Sequence, residues 1–147
     1  MFTNILIPTD GSELSENVVK NGIALAKMCN AKIIGVHVVP ATYLIYYGEI
    51  GPVDTGTETG LREAARTRGR TYLDRLEATA KSAGVRFDRV LSESNDPWRG
   101  IIDVAQNQGR DLIMMAAHGR RGLAALVLGS ETNKILTHSK IPVLVYR

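Results

Sequence analysis

Cysteine is almost missing from this chain. One residue, Cys29, stands among 147, which excludes an internal disulfide and a thiolate metal cluster within one chain. It falls at an apolar helical position and reads as packed core, not as a reactive thiol. Aromatics make up only 5%. Arg62, Arg66, Arg68, Arg70 and Arg75 stand among acids and small residues, without an aromatic-interleaved basic stripe, so no nucleic-acid partner is expected. No apolar run approaches the ~18 residues that would span a bilayer. Met1-Phe-Thr-Asn4 leads straight into a strand pattern with no signal peptide, so the expected location is cytoplasmic, away from any membrane.

Several nucleotide and catalytic signatures are absent too. Neither G-x-G-x-x-G nor G-x-x-x-x-G-K-[ST] occurs, which removes the dinucleotide fingerprint and the P-loop. No G-x-S-x-G elbow surrounds a serine. Asp10 has no acidic neighbour in sequence and Lys140 precedes the last strand, unlike a phosphoacceptor domain. His37, His118 and His138 lack metal-ligand spacing such as H-x-x-x-H. No general base is evident beside the glycine-bearing loop after His118, so no residue reads as catalytic.

What remains is a globular composition. Apolar residues make up 44%, charged residues 22%, and the formal net charge is only +3. At this length one domain over residues 1–147 is the simplest organisation. Ile5-Leu-Ile-Pro8 is a short apolar strand with proline at its exit. Leu14, Val18, Gly22, Leu25 and Cys29 recur at helical spacing, with Ser12 or Ser15 as cap and Asn30 at the stop. Lys32 to Val39 is a second strand. From Ala41 to Gly60 the periodicity fails, which predicts a long mobile connection carrying Tyr43, Tyr46 and Tyr47. Those tyrosines suit the sheet edge or the rim of the core better than a ligand.

Leu61, Ala65, Tyr72, Leu76, Ala80 and Ala83 trace one face of a long helix that stops at Gly84. Val85 to Ser92 alternates like an edge or half-buried strand. Asp96-Pro97 opens a helix as N-cap and first-turn proline, and Gly109 closes it. Leu112 to Ala116 is a fourth strand, a helix opens at Ser130, and Ile141 to Tyr146 is a fifth strand. Regular alternation of apolar strands with amphipathic helices predicts an α/β fold, a parallel sheet with helices on both faces. Ligands of such open sheets bind beyond the carboxyl ends of the strands, where the strand order reverses.

Two strand exits carry chemistry: Pro8-Thr9-Asp10, and Ala117-His118-Gly119. The second leads through a basic, glycine-bearing loop to Gly129-Ser130 at a helix start, where free N–H groups and the helix dipole favour an anion. A carboxylate at Asp10 suits ribose hydroxyls or a metal near phosphates. Local pattern alone leaves a second reading open, in which Asp10 and Ser130 are helix caps and the glycines only make turns.

Ile5-Leu-Ile-Pro-Thr-Asp-Gly-Ser12, His37-Val38, His118-Gly-Arg-Arg-Gly122, Leu128-Gly-Ser130 and Ile141-Pro-Val-Leu-Val145 together resemble the universal stress protein family, in order and over the whole chain. The resemblance implies a single-domain, open five-stranded parallel sheet of order 3-2-1-4-5, adenine nucleotide alpha hydrolase-like. It also implies a homodimer paired through the last strand, at Val143, Leu144 and Val145. ATP-binding members carry glycine, two residues, glycine, nine residues, then glycine and serine or threonine. Gly119, Arg120 to Leu128, Gly129 and Ser130 fit, whereas Ala116 takes the first glycine's place. Members that do not bind ATP usually lose the later glycines as well, and this chain keeps them.

Carried over by position, Pro8, Thr9, Asp10 and Val38 would surround adenine and ribose, and Met115 and Ala116 would lie under the nucleoside. His118, Gly119, Gly129, Ser130 and Thr132 would face the phosphates, with room for Mg2+ between them and solvent. Glu131 is expected to compete electrostatically with a phosphate at the helix start. The implied function is an ATP-binding dimeric stress-response or regulatory module with slow or no hydrolysis, with a cyclic nucleotide as another candidate ligand. The alternative is a nucleotide-free dimeric interaction protein of the same fold.

Overall fold

The structure, a computed structural model, describes residues 1–42, 55–118 and 128–147. Tyr43, Tyr46, Tyr47 and Gly119 lie outside the described residues. Among the described residues five strands and four helices alternate: β1 (Asn4–Pro8), α1 (Glu13–Cys29), β2 (Lys32–Val39), α2 (Thr55–Ser82), β3 (Phe87–Glu93), α3 (Pro97–Asn107), β4 (Leu112–Ala116), α4 (Ser130–His138) and β5 (Val143–Tyr146). The strands form one parallel sheet in the order β3-β2-β1-β4-β5. This is the expected architecture.

Alternation along the central strands divides the core into two layers. Ile5 and Ile7 turn to one face, where they pack with Val18, Val19, Ile23 and Ala26 of α1 and Leu76 and Ala80 of α2. Leu6 turns to the other, with Ile34, Val36, Ile101, Ala105 and Ile135. Ile5, Leu6 and Ile7 are all fully buried, which is why the middle of this strand is apolar without interruption while edge strand β3 is not. Gly35 on β2 admits the Phe87 ring from β3, since a Cβ there would stand 2.6 Å from Cζ.

Local chemistry sets the element ends. Ser12 caps α1, its hydroxyl accepting from the Ser15 N–H at 3.2 Å. Asn30 stops that helix in the left-handed region at φ 54°, a conformation asparagine tolerates better than most residues. Helix α2 begins at Thr55, within the stretch given to the connection from residue 41 to residue 60. Its first turns hold Gly56 and Gly60 and little apolar surface, so no periodicity betrays them, although Arg62 pairs with Glu58 one turn back at 3.0 Å. Strands β3 and β5 each start two residues later than the apolar pattern does. Among the described residues, no helix is long and apolar enough to cross a membrane.

At the amino ends of β1 and β4, Asp111 ties the two strands together. Its carboxylate accepts from the Thr3 N–H and hydroxyl, both at 2.7 Å, and from the Asn4 N–H at 3.0 Å. Desolvation raises the Asp111 carboxyl, but these donations outweigh it and hold the group below the ordinary carboxylate value. A lowered folded value means stability that is complete above the unfolded pKa of about 3.9 and is lost as pH falls through the folded one. Asp111→Asn should therefore melt lower than wild type at neutral pH, and the gap should close as pH drops from about 5 to about 2. Thermal melts across that range test this, and a gap independent of pH would refute it.

Candidate functional site

The first wall of the site is the exit of β1. The Thr9 N–H donates to the Val36 carbonyl at 2.9 Å, extending the β1–β2 ladder beyond Pro8. The Thr9 carbonyl lies 2.7 Å from His37 Nδ1. A carbonyl can only accept, so Nδ1 carries the proton. The Thr9 hydroxyl accepts from the Gly11 N–H at 3.1 Å and lies 3.2 Å from Ser15 Oγ. Ser15 in turn gives its own proton to the Ser12 carbonyl at 2.8 Å, so Thr9 is the donor to Ser15. Asp10 Oδ1 accepts from the Ser12 N–H at 3.0 Å, an Asx-turn that points the loop into α1.

Gly11 is needed here. Its φ is +74°, and a Cβ would stand 2.4 Å from Cε1 of Tyr72. The Tyr72 ring also meets His37 edge-on, with centroids 5.3 Å apart. Helix α2 thus braces the Asp10 loop through two aromatic rings.

The second wall is the exit of β4. The Gly129 N–H donates to the Ala117 carbonyl at 2.8 Å, and the Thr132 hydroxyl donates to the Ala116 carbonyl at 3.1 Å. These bonds seat the start of α4 against the strand end. A Cβ on Gly129 would lie 3.3 Å from His118 Cα, so the backbone comes close at this point. The first i→i−4 bond of α4 runs from Asn133 to Gly129. The N–H groups of the first turn of α4 find no partner within the helix itself. Ala116, where the motif has glycine, is the last residue of β4, paired with Tyr146 and partly buried against the α1–α2 side of the core. Its extended backbone does not need glycine.

The third wall is the start of α3. Asp96 stands at the N-cap as the sequence suggests, but its side chain makes no capping bond. The bond comes from across the cleft, where Glu131 Oε2 accepts from the Trp98 N–H at 2.8 Å. The other oxygen of Glu131 lies 3.1 Å from Lys134 Nζ. Trp98 stacks on His138 at the far end of α4, centroids 4.8 Å apart and rings at 29°. The expected competitor at the α4 start is thus turned onto a second helix terminus.

Between these walls lies a cleft of about 550 Å³, within the range of small-molecule sites. Pro8, Thr9, Asp10, Val38, Met115, Ala116, His118, Gly129, Ser130 and Thr132 all line it. Among the sequence candidates Gly119 alone falls outside the described residues. Ser15, Val36, His37, Pro97 and Ile101, which the sequence reading missed, complete the lining together with Glu131, expected there only as a competitor of phosphate. Pro97 had been visible as a helix start, and the reversal of strand order at β1 brings that helix to the cleft. No group of three His, Cys, Asp or Glu that could hold a metal occurs among the described residues.

The profile of the Universal stress protein family matches residues 1–147. The chain belongs to that family. The universal stress protein MJ0531 of Methanocaldococcus jannaschii is 28% identical over 147 residues, covering all of this chain and 83% of the relative. Among solved structures, the universal stress protein UspA of Lactobacillus plantarum superposes with a TM-score of 0.84 at 21% identity, over 99% of this chain and 98% of that one. A universal stress protein in complex with cAMP gives 0.71 at 20% identity, covering 99% and 97% of the two chains. One from Archaeoglobus fulgidus in complex with dAMP gives 0.65 at 14% identity, covering 100% and 98%. At these identities the structural likenesses establish the universal stress protein fold.

The Asp10 loop of this universal stress protein gives a direct test of its bracing. Gly84 has nearly the same φ, +72°, with nothing within 4 Å of a Cβ, so Gly84→Ala should cost about 1 kcal/mol from backbone strain alone. Gly11→Ala adds a collision with the Tyr72 ring and should cost at least about 1 kcal/mol more. Urea unfolding of both variants measures the difference, and equal costs would show that Tyr72 is free to move.

Proposed function

We propose that this universal stress protein binds an adenine nucleotide, ATP in the first instance, in the cleft between the β1 and β4 exits. As such it serves as a cytoplasmic stress-response or regulatory module. The observation that carries this reading is the convergence of the Asp10 loop, His118 and the N-terminus of α4 on one cleft of about 550 Å³. The chemistry is graded along it. Val36, Val38, Ile101 and Met115 offer apolar surface for a base, Asp10 offers a carboxylate for ribose hydroxyls, and the α4 start offers N–H groups to a phosphate. Two proteins of the same fold hold cAMP and dAMP, which favours adenine as the base.

Mg2+ fits such a site only as a companion of the nucleotide. It is commonly held by one or two carboxylates together with substrate phosphates, and Asp10 and Glu131 are the carboxylates on the described walls. Slow or absent turnover is consistent with how these groups are used. Asp10 accepts from the Ser12 N–H, and both Glu131 oxygens are engaged.

Stripped protein titrated with Mg-ATP by calorimetry should show saturable binding with Kd below about 1 mM. Gly129→Val, which fills the approach to His118, should weaken it by tenfold or more. Absence of binding up to millimolar ATP would sink the proposal.

A homodimer through β5 is part of the same proposal. The strand is at the sheet edge, with β4 as its neighbour. Leu144 on it is 43% exposed and Leu136 on α4 is 42% exposed, apolar surface of the kind a second copy covers. Sedimentation should give twice the chain mass, and Leu144→Asp should yield monomer. A wild-type monomer at micromolar concentration would refute the dimer. Dimerisation without any nucleotide binding would instead favour the reading as an interaction protein.

A further inference from the structure

We propose that Glu131 is a positioning residue of the cleft, which caps α3 from α4 and so holds the α3 wall where the nucleotide needs it. The inference rests on the adenine-nucleotide reading above and adds a residue that acts through another element. Helix α3 has no side-chain cap of its own. Asp96 stands at the N-cap without a capping bond, and its carboxylate faces Arg99 at 3.6 Å instead. Pro97 has no N–H to give. The Trp98 N–H, next along the first turn, finds no partner within the helix itself. It donates to Glu131 Oε2 at 2.8 Å, 33 residues further along the chain. A bond that would ordinarily be local thus joins two walls of the cleft.

Pro97 and Ile101 are the α3 residues that line the cleft, together with Val38 and Met115. Ile101 is anchored in the core with Val36 and Met115, whereas Pro97 is exposed. The start of the helix therefore needs other restraints. On the sheet side it is already at contact, since a Cβ on Gly100 would stand 3.0 Å from Val38 Cγ1. Movement towards β2 is blocked there, and movement away from α4 is opposed by the Glu131 bond. The Trp98–His138 stack and the buried Ile102 and Ala105 keep α3 docked when that bond is removed. Its loss should loosen the first turn without releasing the helix. A ligand that binds the closed wall then loses affinity in proportion to the closed population.

The decisive comparison is Glu131→Gln against Glu131→Ala. Both lack the charge, so any effect on phosphates or on Mg2+ is common to them. Only the glutamine keeps an oxygen that can accept from the Trp98 N–H. Glu131→Leu, close to glutamine in size and equally without an acceptor, separates the lost bond from lost volume. Each protein is titrated with Mg-ATP by calorimetry, well below its melting temperature. Trp98 is the single tryptophan of the chain, and its emission confirms that each variant is folded. Kd should be about fivefold to tenfold higher in Glu131→Ala and in Glu131→Leu than in Glu131→Gln, the range that one helix cap supplies. Equal affinity in the folded glutamine and alanine variants would overturn the inference while leaving the nucleotide site standing. Full affinity in Glu131→Leu would do the same, by tracing the loss to volume. If ATP binds none of these proteins, wild type included, the nucleotide reading itself fails and this inference goes with it.

Discussion

The pairing of β1 with β4 is the join on which the rest of the molecule depends. Among the described strands it is the one contact between neighbours at which the chain has wound in opposite directions to reach the two sides. On one side the sheet runs out to β2 and β3, on the other to β5. The ladder across the join couples Ile5 to Leu112 and Leu6 to Ile113. By contrast, β1 stays paired with β2 as far as Pro8, and β4 with β5 as far as Ala116. The join is tight at the amino ends, where Asp111 accepts three bonds from Thr3 and Asn4, and each strand is held by its outer neighbour at the carboxyl ends. A cleft at those carboxyl ends is the geometric consequence, at the place where open α/β sheets take ligands.

Each wall of the cleft is fixed by an element that does not itself form its floor. Helix α2 holds the Asp10 loop through Tyr72 against Gly11 and the contact of Tyr72 with His37. Helix α4 is seated on β4 by the bonds of Gly129 and Thr132 to the carbonyls of Ala117 and Ala116. Helix α3 is fastened to α4 by Glu131 at the cleft and by the Trp98–His138 stack at the other end. Positions far apart in sequence therefore govern the same few polar groups, and rigid packing transmits a change at Tyr72 or His138 to the rim of the site.

Legibility in the sequence followed the range of the interactions. Strands β1, β2 and β4 were plain because continuous burial leaves a continuous apolar run, and α1 because Ser12 and Asn30 cap it locally. The start of α2 was hidden, since its first turns are polar and contain two glycines. The candidate residues at both strand exits were legible because glycine, proline and a lone acid or histidine interrupt apolar runs there. Glu131 could be seen to sit at a helix start, but not to reach Trp98, because a bond spanning 33 residues leaves no local pattern. His37 was likewise visible only as a strand residue, although its ring holds the Thr9 carbonyl from 28 residues away.

Ala116 and Gly129 show why a glycine motif cannot be scored by counting its letters. A glycine is required where φ is positive or where a Cβ meets something immovable. Ala116 meets neither condition as a strand residue: its backbone is extended, and its methyl packs partly against the core on the α1–α2 side. Gly129 has an ordinary φ of −59°, but a Cβ there would stand 3.3 Å from the backbone of His118, next to the Ala117 carbonyl that the Gly129 N–H holds. The two positions of the motif therefore carry different constraints. Substitution at the first adds a methyl to the wall of a cleft that remains about 550 Å³ in volume, whereas substitution at the second disturbs the seat of α4, the element that presents its N–H groups to the cleft.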